Sequence, residues 1–419
     1  MTYEEALAWV QGKLKFGIKP GLERMQWLLS ELGNPQEKIK AVHIVGTNGK
    51  GSTVSYLQHI FSEAGYEVGT FTSPYLIDFR ERISLNGHMI SKRDFCTLVK
   101  MVMPVVERLP LETELEAATE FEVITLLMLT YFGLLLPVDI AFIEAGLGGL
   151  HDSTNVLTPL AVVCPSIGLD HQNILGDSYE AIAKEKVGVL KSGVPLIFSS
   201  KRPDVTSVFR EKAAQTGSTL YQLGEAFQVS LSANSFSFNY QTEQFSNIEL
   251  SMIGKHQMEN ASLALMTALL LKEAYPKLNN RQIQTALEHS VWAGRTEFIT
   301  PNLMIDGAHN RESVSVLVDV LERYAKNKEV HILFAAIDTK PVEDMLEQLA
   351  TFDSLTVTTF PYPNSLPLES YPSQYRKIES LMAWLDEIDL SSKEKLYVIT
   401  GSLYFIAQVR KTFLKSLKK

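Results

Sequence analysis

Val45-Gly46-Thr47-Asn48-Gly49-Lys50-Gly51-Ser52-Thr53 joins an apolar run, Ala41–Val45, to a segment of helical period, Ser52–Ala64. Tyr56, Leu57, Ile60 and Phe61 fall on one face of that segment, so the unit reads as strand, glycine turn, helix. This is the setting that a phosphate-cradling loop requires. Glycines let N–H groups turn inward, and the helix N-terminus adds partial positive charge. Lys50 is placed to lie along β- and γ-phosphates, with Ser52 or Thr53 reaching a Mg²⁺ ion. The general pattern is not matched fully: the glycines are closer together, and Gly51 stands where Ser or Thr usually follows the lysine.

Short apolar runs alternate with helix-period segments on both sides of this loop, as in a parallel sheet wrapped by helices. Glu67–Phe71, Val138–Glu144, Leu160–Cys164 and Val194–Phe198 read as strands. Phe121–Leu136 and Tyr179–Leu190 read as helices, and Ser73 to about Ser91 as a long polar loop. From Phe227 to Met252 apolar and polar residues alternate, the pattern of antiparallel strands with one wet face. Helices at His256–Tyr275 and Arg281–Ser290 precede a new alternation: strand Leu303–Ile305, helix Ser313–Tyr324, strand Val330–Phe334, strand Leu396–Thr400. The expected architecture is α/β. A phosphate-loop ATPase domain over residues 1–296 carries a mostly parallel sheet and a small antiparallel one. A smaller Rossmann-like domain follows over 297–419.

At 419 residues the chain exceeds what one core usually supports. Its formal charge of −9 argues against a nucleic-acid partner, so an anionic ligand must be held by local cations and backbone donors. Cys96 and Cys164 are far apart and lack metal spacing, which suits a reducing, cytoplasmic setting. Val123–Val138 carries no charge but is about one turn short of a membrane span and ends at Pro137-Val138-Asp139, so no membrane role is expected.

Ligands of open α/β sheets collect at the carboxyl ends of strands, where this sequence places Glu144 and the Asp170-His171 pair. Phosphoryl transfer to a carboxylate needs cations that hold two anions together, and Ser73, Glu144 and His171 form a candidate ligand set with Ser52. A lone histidine at a strand end is equally at home in a structural role. Lys186 lies on the apolar face of its helix, where burial would favour a neutral amine; a lysine whose tip reaches water is the alternative. Asn260 carries an amide suited to adenine. Arg80 and Arg82 read either as substrate-binding or as solvated loop charges.

The Gly-Thr-Asn-Gly-Lys loop resembles that of the Mur ligase superfamily. Together with Lys19-Pro20-Gly21-Leu22-Glu23-Arg24-Met25 it resembles the folylpolyglutamate/dihydrofolate synthase branch. Only 45 residues precede Gly46, too few for the nucleotide-sugar domain of the cell-wall enzymes. The resemblance implies an ATP- and Mg²⁺-dependent ligase that joins L-glutamate to a reduced folate or to dihydropteroate through an acyl phosphate. A Mur-type ligase of other substrates and a non-ligating ATPase switch are the alternatives. It also implies K⁺ as a further candidate ion, a monomer, and a second domain that closes to exclude water. By the same resemblance Gly46–Thr53, Asn260, Arg295 and Asp306 bind nucleotide, and Lys50, His171, Lys186, Asp306 and His309 serve catalysis. Lys186, in Glu185-Lys186-Val187-Gly188, matches a lysine that the family carbamylates. Ser73-Pro74-Tyr75, Arg80, Arg82, Glu120, Asp152 and His309 fall on the substrate side. The chain departs from the family's pattern at Leu150, Ala293 and Arg311, where a basic residue and two prolines are usual.

Overall fold

The computed structural model describes residues 1–17, 19–232, 235–338 and 342–416. Two compact units emerge. The first comprises Met1–Tyr75, Phe79–Leu250 and Met258–Ser290; the second comprises Leu76–Asp78, Ser251–Gln257 and Val291–Lys419.

Eight strands form the main sheet of the first unit. They are β1 (Ala41–Ile44), β2 (Val68–Phe71), β3 (Ile83–Leu85), β4 (His88–Met89), β5 (Ile140–Glu144), β6 (Ala161–Cys164), β7 (Leu196–Phe198) and β8 (Leu220–Gln222), in the order 4-3-2-5-1-6-7-8. Only the β2–β3 and β3–β4 pairings are antiparallel, so β3 alone runs against the rest. β1 lies between β5 and β6, with His43 level with Ile143 on one side and Val162 on the other. All four of its side chains are buried, because helices cover both faces. One face packs Phe95, Leu98, Val102, Leu126 and Phe132; the other packs Val187, Val189, Val205 and Phe209. A second, antiparallel sheet of β9 (Gln228–Leu231), β10 (Ser235–Tyr240) and β11 (Glu243–Glu249) follows.

The span from Ser73 to Ser91, expected as loop, holds more structure than that. A 3₁₀ turn at Phe79–Arg82 leads into the β3–β4 hairpin, whose tip is Asn86-Gly87 with φ of 48° and 78°. Positive φ at both central residues is what a tight hairpin turn demands, and Asn-Gly supplies it. The buried helix also differs from its expected extent. It is α-helical over Glu120–Thr130 and then widens into a π-helix, Tyr131–Leu135. Gly133 sits there against the Pro35 backbone, an approach too close for any side chain. Among the described residues no helix is long and apolar enough to cross a membrane.

In the second unit β12 (Glu297–Thr300), β13 (Leu303–Ile305), β14 (Glu329–Phe334), β15 (Ser354–Val357), β16 (Arg376–Lys377) and β17 (Lys395–Thr400) are ordered 12-13-17-14-15-16. All pairs but β12–β13 are parallel. β12 therefore precedes Leu303–Ile305, the strand expected to open this domain's alternation. Apolar clusters around Leu317, Ile332 and Val398, and around Leu333, Ile399 and Phe405, cover the two faces of this sheet.

Candidate active site

The loop after β1 is held open by its wall. The Thr47 N–H donates to the Ser166 carbonyl at 2.8 Å, and the Asn48 N–H to the Ser166 hydroxyl at 3.0 Å. Ser166 returns its own proton to the Asn48 carbonyl at 2.9 Å, and the Thr47 hydroxyl donates to the Gly168 carbonyl at 3.1 Å. The loop is thereby fixed to the carboxyl end of the neighbouring β6. Gly46 (φ 144°) and Gly49 (φ 87°) adopt conformations closed to other residues. A Cβ on Gly49 would come within 2.6 Å of the Asn260 side-chain oxygen. Asn260 thus packs on the loop itself. Lys50 begins the helix Lys50–Glu63, whose N-cap, Gly49, makes no side-chain cap. Ser52 and Thr53 are buried in its first turn.

Two ammonium groups converge on one carbonyl. Lys50 Nζ donates to Gly46 O at 3.0 Å and to Thr47 O at 3.2 Å, while Lys186 Nζ, from the helix Tyr179–Val187, donates to Gly46 O at 2.9 Å. Lys186 is only 5% exposed, and burial, with Lys50 adding repulsion, lowers its pKa to about 7. Its amine is therefore readily neutral, as the apolar face predicted. Gly149 fits against the backbone of Glu185 and Lys186, and the Leu150 N–H donates to Glu185 O at 2.7 Å.

Glu144, at the end of β5, is buried beside this pair. Its Oε1 lies 3.8 Å from Lys50 Nζ, and its Oε2 accepts the Ser73 N–H at 3.2 Å. Glu144 thus contacts Lys50 and Ser73 directly, and Lys186 is linked to Lys50 through the Gly46 carbonyl. The His171 side chain is 48% exposed, at φ 53°, with Nε2 4.0 Å from the Asp170 carboxylate. Among the described residues no three His, Cys, Asp or Glu side chains form a ready metal cluster. Asp152 is buried, and its oxygens accept the N–H groups of Leu147 and Thr154 and the Thr154 hydroxyl. Burial raises its pKa against those donors.

Around the Ser73–Arg82 segment the charges are not solvated. Arg82 is mostly buried, 3.6 Å from the Glu120 carboxylate, with its guanidinium over the rings of Tyr75 and Phe79. Burial raises the Glu120 pKa, and Arg82 opposes that. Arg80 donates to Ile90 O at 3.2 Å and lies over the Tyr3 ring. Pro74 follows a cis bond. A buried Arg24–Glu122 pair at 2.8 Å, with Arg24 also donating to Lys19 O, ties Lys19–Met25 to Thr119–Glu122. Sequence reasoning missed that pair and missed Ser166. Pro165-Ser166 at the carboxyl end of β6 was the available signal for Ser166, by the rule used for Glu144.

In the second unit, Asp306 is buried and accepts the Thr296 N–H at 2.8 Å and the Ala308 N–H at 2.9 Å. Burial raises its pKa, and Arg295 opposes the rise. His309 Nδ1 lies 2.7 Å from Gly307 O, and Asn310 caps the helix Arg311–Tyr324. His256, half-buried near Arg295, has its pKa lowered to about 4 by desolvation and by that charge.

Comparison with known proteins gives concordant results. The Mur ligase middle domain family matches residues 44–268. The dihydrofolate synthase/folylpolyglutamate synthase of Bacillus subtilis is 39% identical over 98% of this chain and 99% of that protein. The folylpolyglutamate synthase of Lacticaseibacillus casei is 33% identical over 99% of each. A folylpolyglutamate synthase complexed with AMPPCP and folate superimposes with a TM-score of 0.85 at 32% identity, over 99% of this chain and 100% of that one.

Proposed function

We infer that this chain, which belongs to the dihydrofolate synthase/folylpolyglutamate synthase family of Mur ligases, is an ATP-dependent ligase adding L-glutamate to a folate carboxylate. Dihydropteroate is its second candidate acceptor, as the name of the B. subtilis relative suggests. The observation that carries the reading is the meeting of Lys50 and Lys186 on the Gly46 carbonyl of the glycine loop, beside Glu144 at the strand ends.

A carboxylate is a poor acyl donor because its leaving group would be oxide. Moving the γ-phosphate of ATP onto it makes an acyl phosphate; the glutamate amine then attacks the carbonyl, and phosphate leaves from a tetrahedral intermediate. Catalysis on this route is mainly positioning and charge neutralisation. The loop's glycine-shaped backbone and Lys50 hold the phosphates, and Arg295, Asp306 and His309 are assigned to the nucleotide and reacting groups. Arg80, Arg82, Tyr75, Glu120 and Asp152 are assigned to the acceptor, and the Arg82 side chain already lies over aromatic rings. Buried Glu144, with the hydroxyls of Ser52 and Ser73, offers the hard oxygen donors that suit Mg²⁺, and His171 would complete the set. Mg²⁺ there would neutralise charge developing on the transferred phosphate. K⁺ is a further candidate ion. Neutral Lys186 attacks CO₂ and loses a proton, giving a carbamate whose negative charge would face the same cations. We assign the protein to the cytoplasm as a monomer.

Phosphate release from ATP and Mg²⁺ should depend on both L-glutamate and a pterin acceptor, assayed with tetrahydrofolate and dihydropteroate separately. The product should gain the mass of one glutamyl residue. Release indifferent to acceptor and glutamate would replace the ligase with an ATPase switch.

A further inference from the structure

His43 has no part in the chemistry above, yet it occupies the middle of β1, two residues before the phosphate loop begins, and is wholly buried. Its Nε2 lies 2.8 Å from the Thr154 hydroxyl oxygen. That hydroxyl in turn donates to Asp152 Oδ1, which also accepts the Thr154 N–H at 3.0 Å, while Oδ2 accepts the Leu147 N–H at 2.8 Å. His43 Nδ1 is buried without a hydrogen-bond partner.

A threonine hydroxyl has one proton. Since Thr154 gives it to Asp152, the hydroxyl must accept from His43, which fixes the imidazole as the neutral Nε2–H tautomer. The charges nearby agree with a neutral ring: Lys191 faces His43, and burial with that lysine lowers the imidazole pKa to about 3. Asp152 interacts electrostatically with Lys186. An apolar pair of similar shape would fill the same space without leaving a ring nitrogen orphaned in the core, a costly state. The polar chain therefore does something packing alone does not: its far end is the carboxylate assigned to the acceptor, and its near end is the strand that carries the phosphate loop.

The geometry points to His43 and Thr154 as positioning residues that orient Asp152 and keep it ionised for the acceptor. This rests on the assignment of Asp152 to the acceptor side. The chain runs imidazole N–H to hydroxyl, hydroxyl to carboxylate, and it fixes the Gly146–Asn155 loop from beneath. Loss of the Thr154 hydroxyl removes one hydrogen bond from the buried carboxylate and favours its protonated, non-accepting form, and loss of His43 removes the partner that aims that hydroxyl at it.

Two measurements on the full chain test this. Nitrogen-15 NMR of histidine-labelled protein, with His43 assigned through His43→Gln, should show a neutral Nε2–H ring between pH 6 and 8; an Nδ1–H or charged ring there overturns the proposal. In steady-state kinetics Thr154→Val and His43→Leu should raise the acceptor KM about ten-fold, with the ATP KM within about two-fold. Thr154→Ser, which restores the hydroxyl, should return the acceptor KM to the wild-type range. Equal rises in both KM values, or no rescue by serine, would mean a merely structural role and overturn the proposal. Failure of the wild-type protein to form a glutamylated product would instead sink the ligase reading, and the tautomer would still decide the relay.

Discussion

The turns that follow β1 and β13 share a plan, each running from the carboxyl end of a buried strand into a helix of 14 residues. They treat the start of that helix in opposite ways. After β13, Asn310 caps the helix through a reciprocal capping box with Ser313, and Asp306 folds back on the N–H groups of Thr296 and Ala308. The turn answers its own donors. After β1, Gly49 has no side chain with which to cap, and the amines of Lys50 and Lys186 meet at the loop, with the Glu144 carboxylate 3.8 Å from Lys50. No side chain caps the helix start against an incoming anion. Anion affinity thus depends less on having a strand–turn–helix than on what the turn declines to satisfy.

Removing the cation should break the contrast most severely. Lys50→Met is expected to lower kcat for ligation by about 10³-fold, read from product mass and phosphate release, with the fold intact by circular dichroism. The backbone is the next lever. Gly49→Ala forces a side chain into φ 87° and against Asn260, and strain of roughly 1–3 kcal/mol should raise the ATP KM about 5- to 150-fold. A wild-type KM in that variant would mean that the glycine is not needed for the cradle.

The third test uses pH. Because the Lys186 pKa is lowered to about 7, its amine is mostly neutral at pH 8 and mostly protonated at pH 6. At equal dissolved CO₂, activation should accordingly be about ten-fold stronger at pH 8 than at pH 6, and absent in Lys186→Met. An activation that grows as pH falls would contradict carbamylation. The smallest effect belongs to the self-capped turn. Asn310→Ala should cost about 1 kcal/mol in urea unfolding. A larger loss in ATP affinity than in stability would show that this turn also receives an anion.

The β1 loop was legible because glycine, lysine and hydroxyl residues are placed by backbone need, and that need shows in sequence. The strands Leu303–Ile305 and Val330–Phe334, as apolar runs, were equally visible. Glu144 followed from the strand-end rule, and Lys186 from its place on an apolar helix face. What stayed hidden depended on distant partners. Arg24 and Glu122 are 98 residues apart, and neither announces the other. His43 and Thr154 are 111 residues apart, and nothing in the strand Ala41–Val45 points to that partner. The β3–β4 hairpin is a different case: Asn86-Gly87 signalled it, but strands of three and two residues are too short for periodicity to register. Likewise the helix Lys92–Glu112 contains Pro104 and Pro110, residues that normally end helices. The widened turn at Tyr131–Leu135 reflects the tertiary approach of Gly133 to Pro35, which no local pattern encodes.

The central place of β1 has a consequence for the protein during its synthesis. β1 and the phosphate loop leave the ribosome early, but their flanking strands, Ile140–Glu144 and Ala161–Cys164, and the Ser166 wall arrive more than a hundred positions later for β6 and its wall. Lys186 comes later still. A nascent chain stalled before the helix Tyr179–Val187 clears the exit tunnel would carry the whole glycine–lysine motif and yet lack the support that shapes it. Nucleotide competence would then switch on late and abruptly in translation, at the point where the chain's middle third reaches back to enclose its beginning.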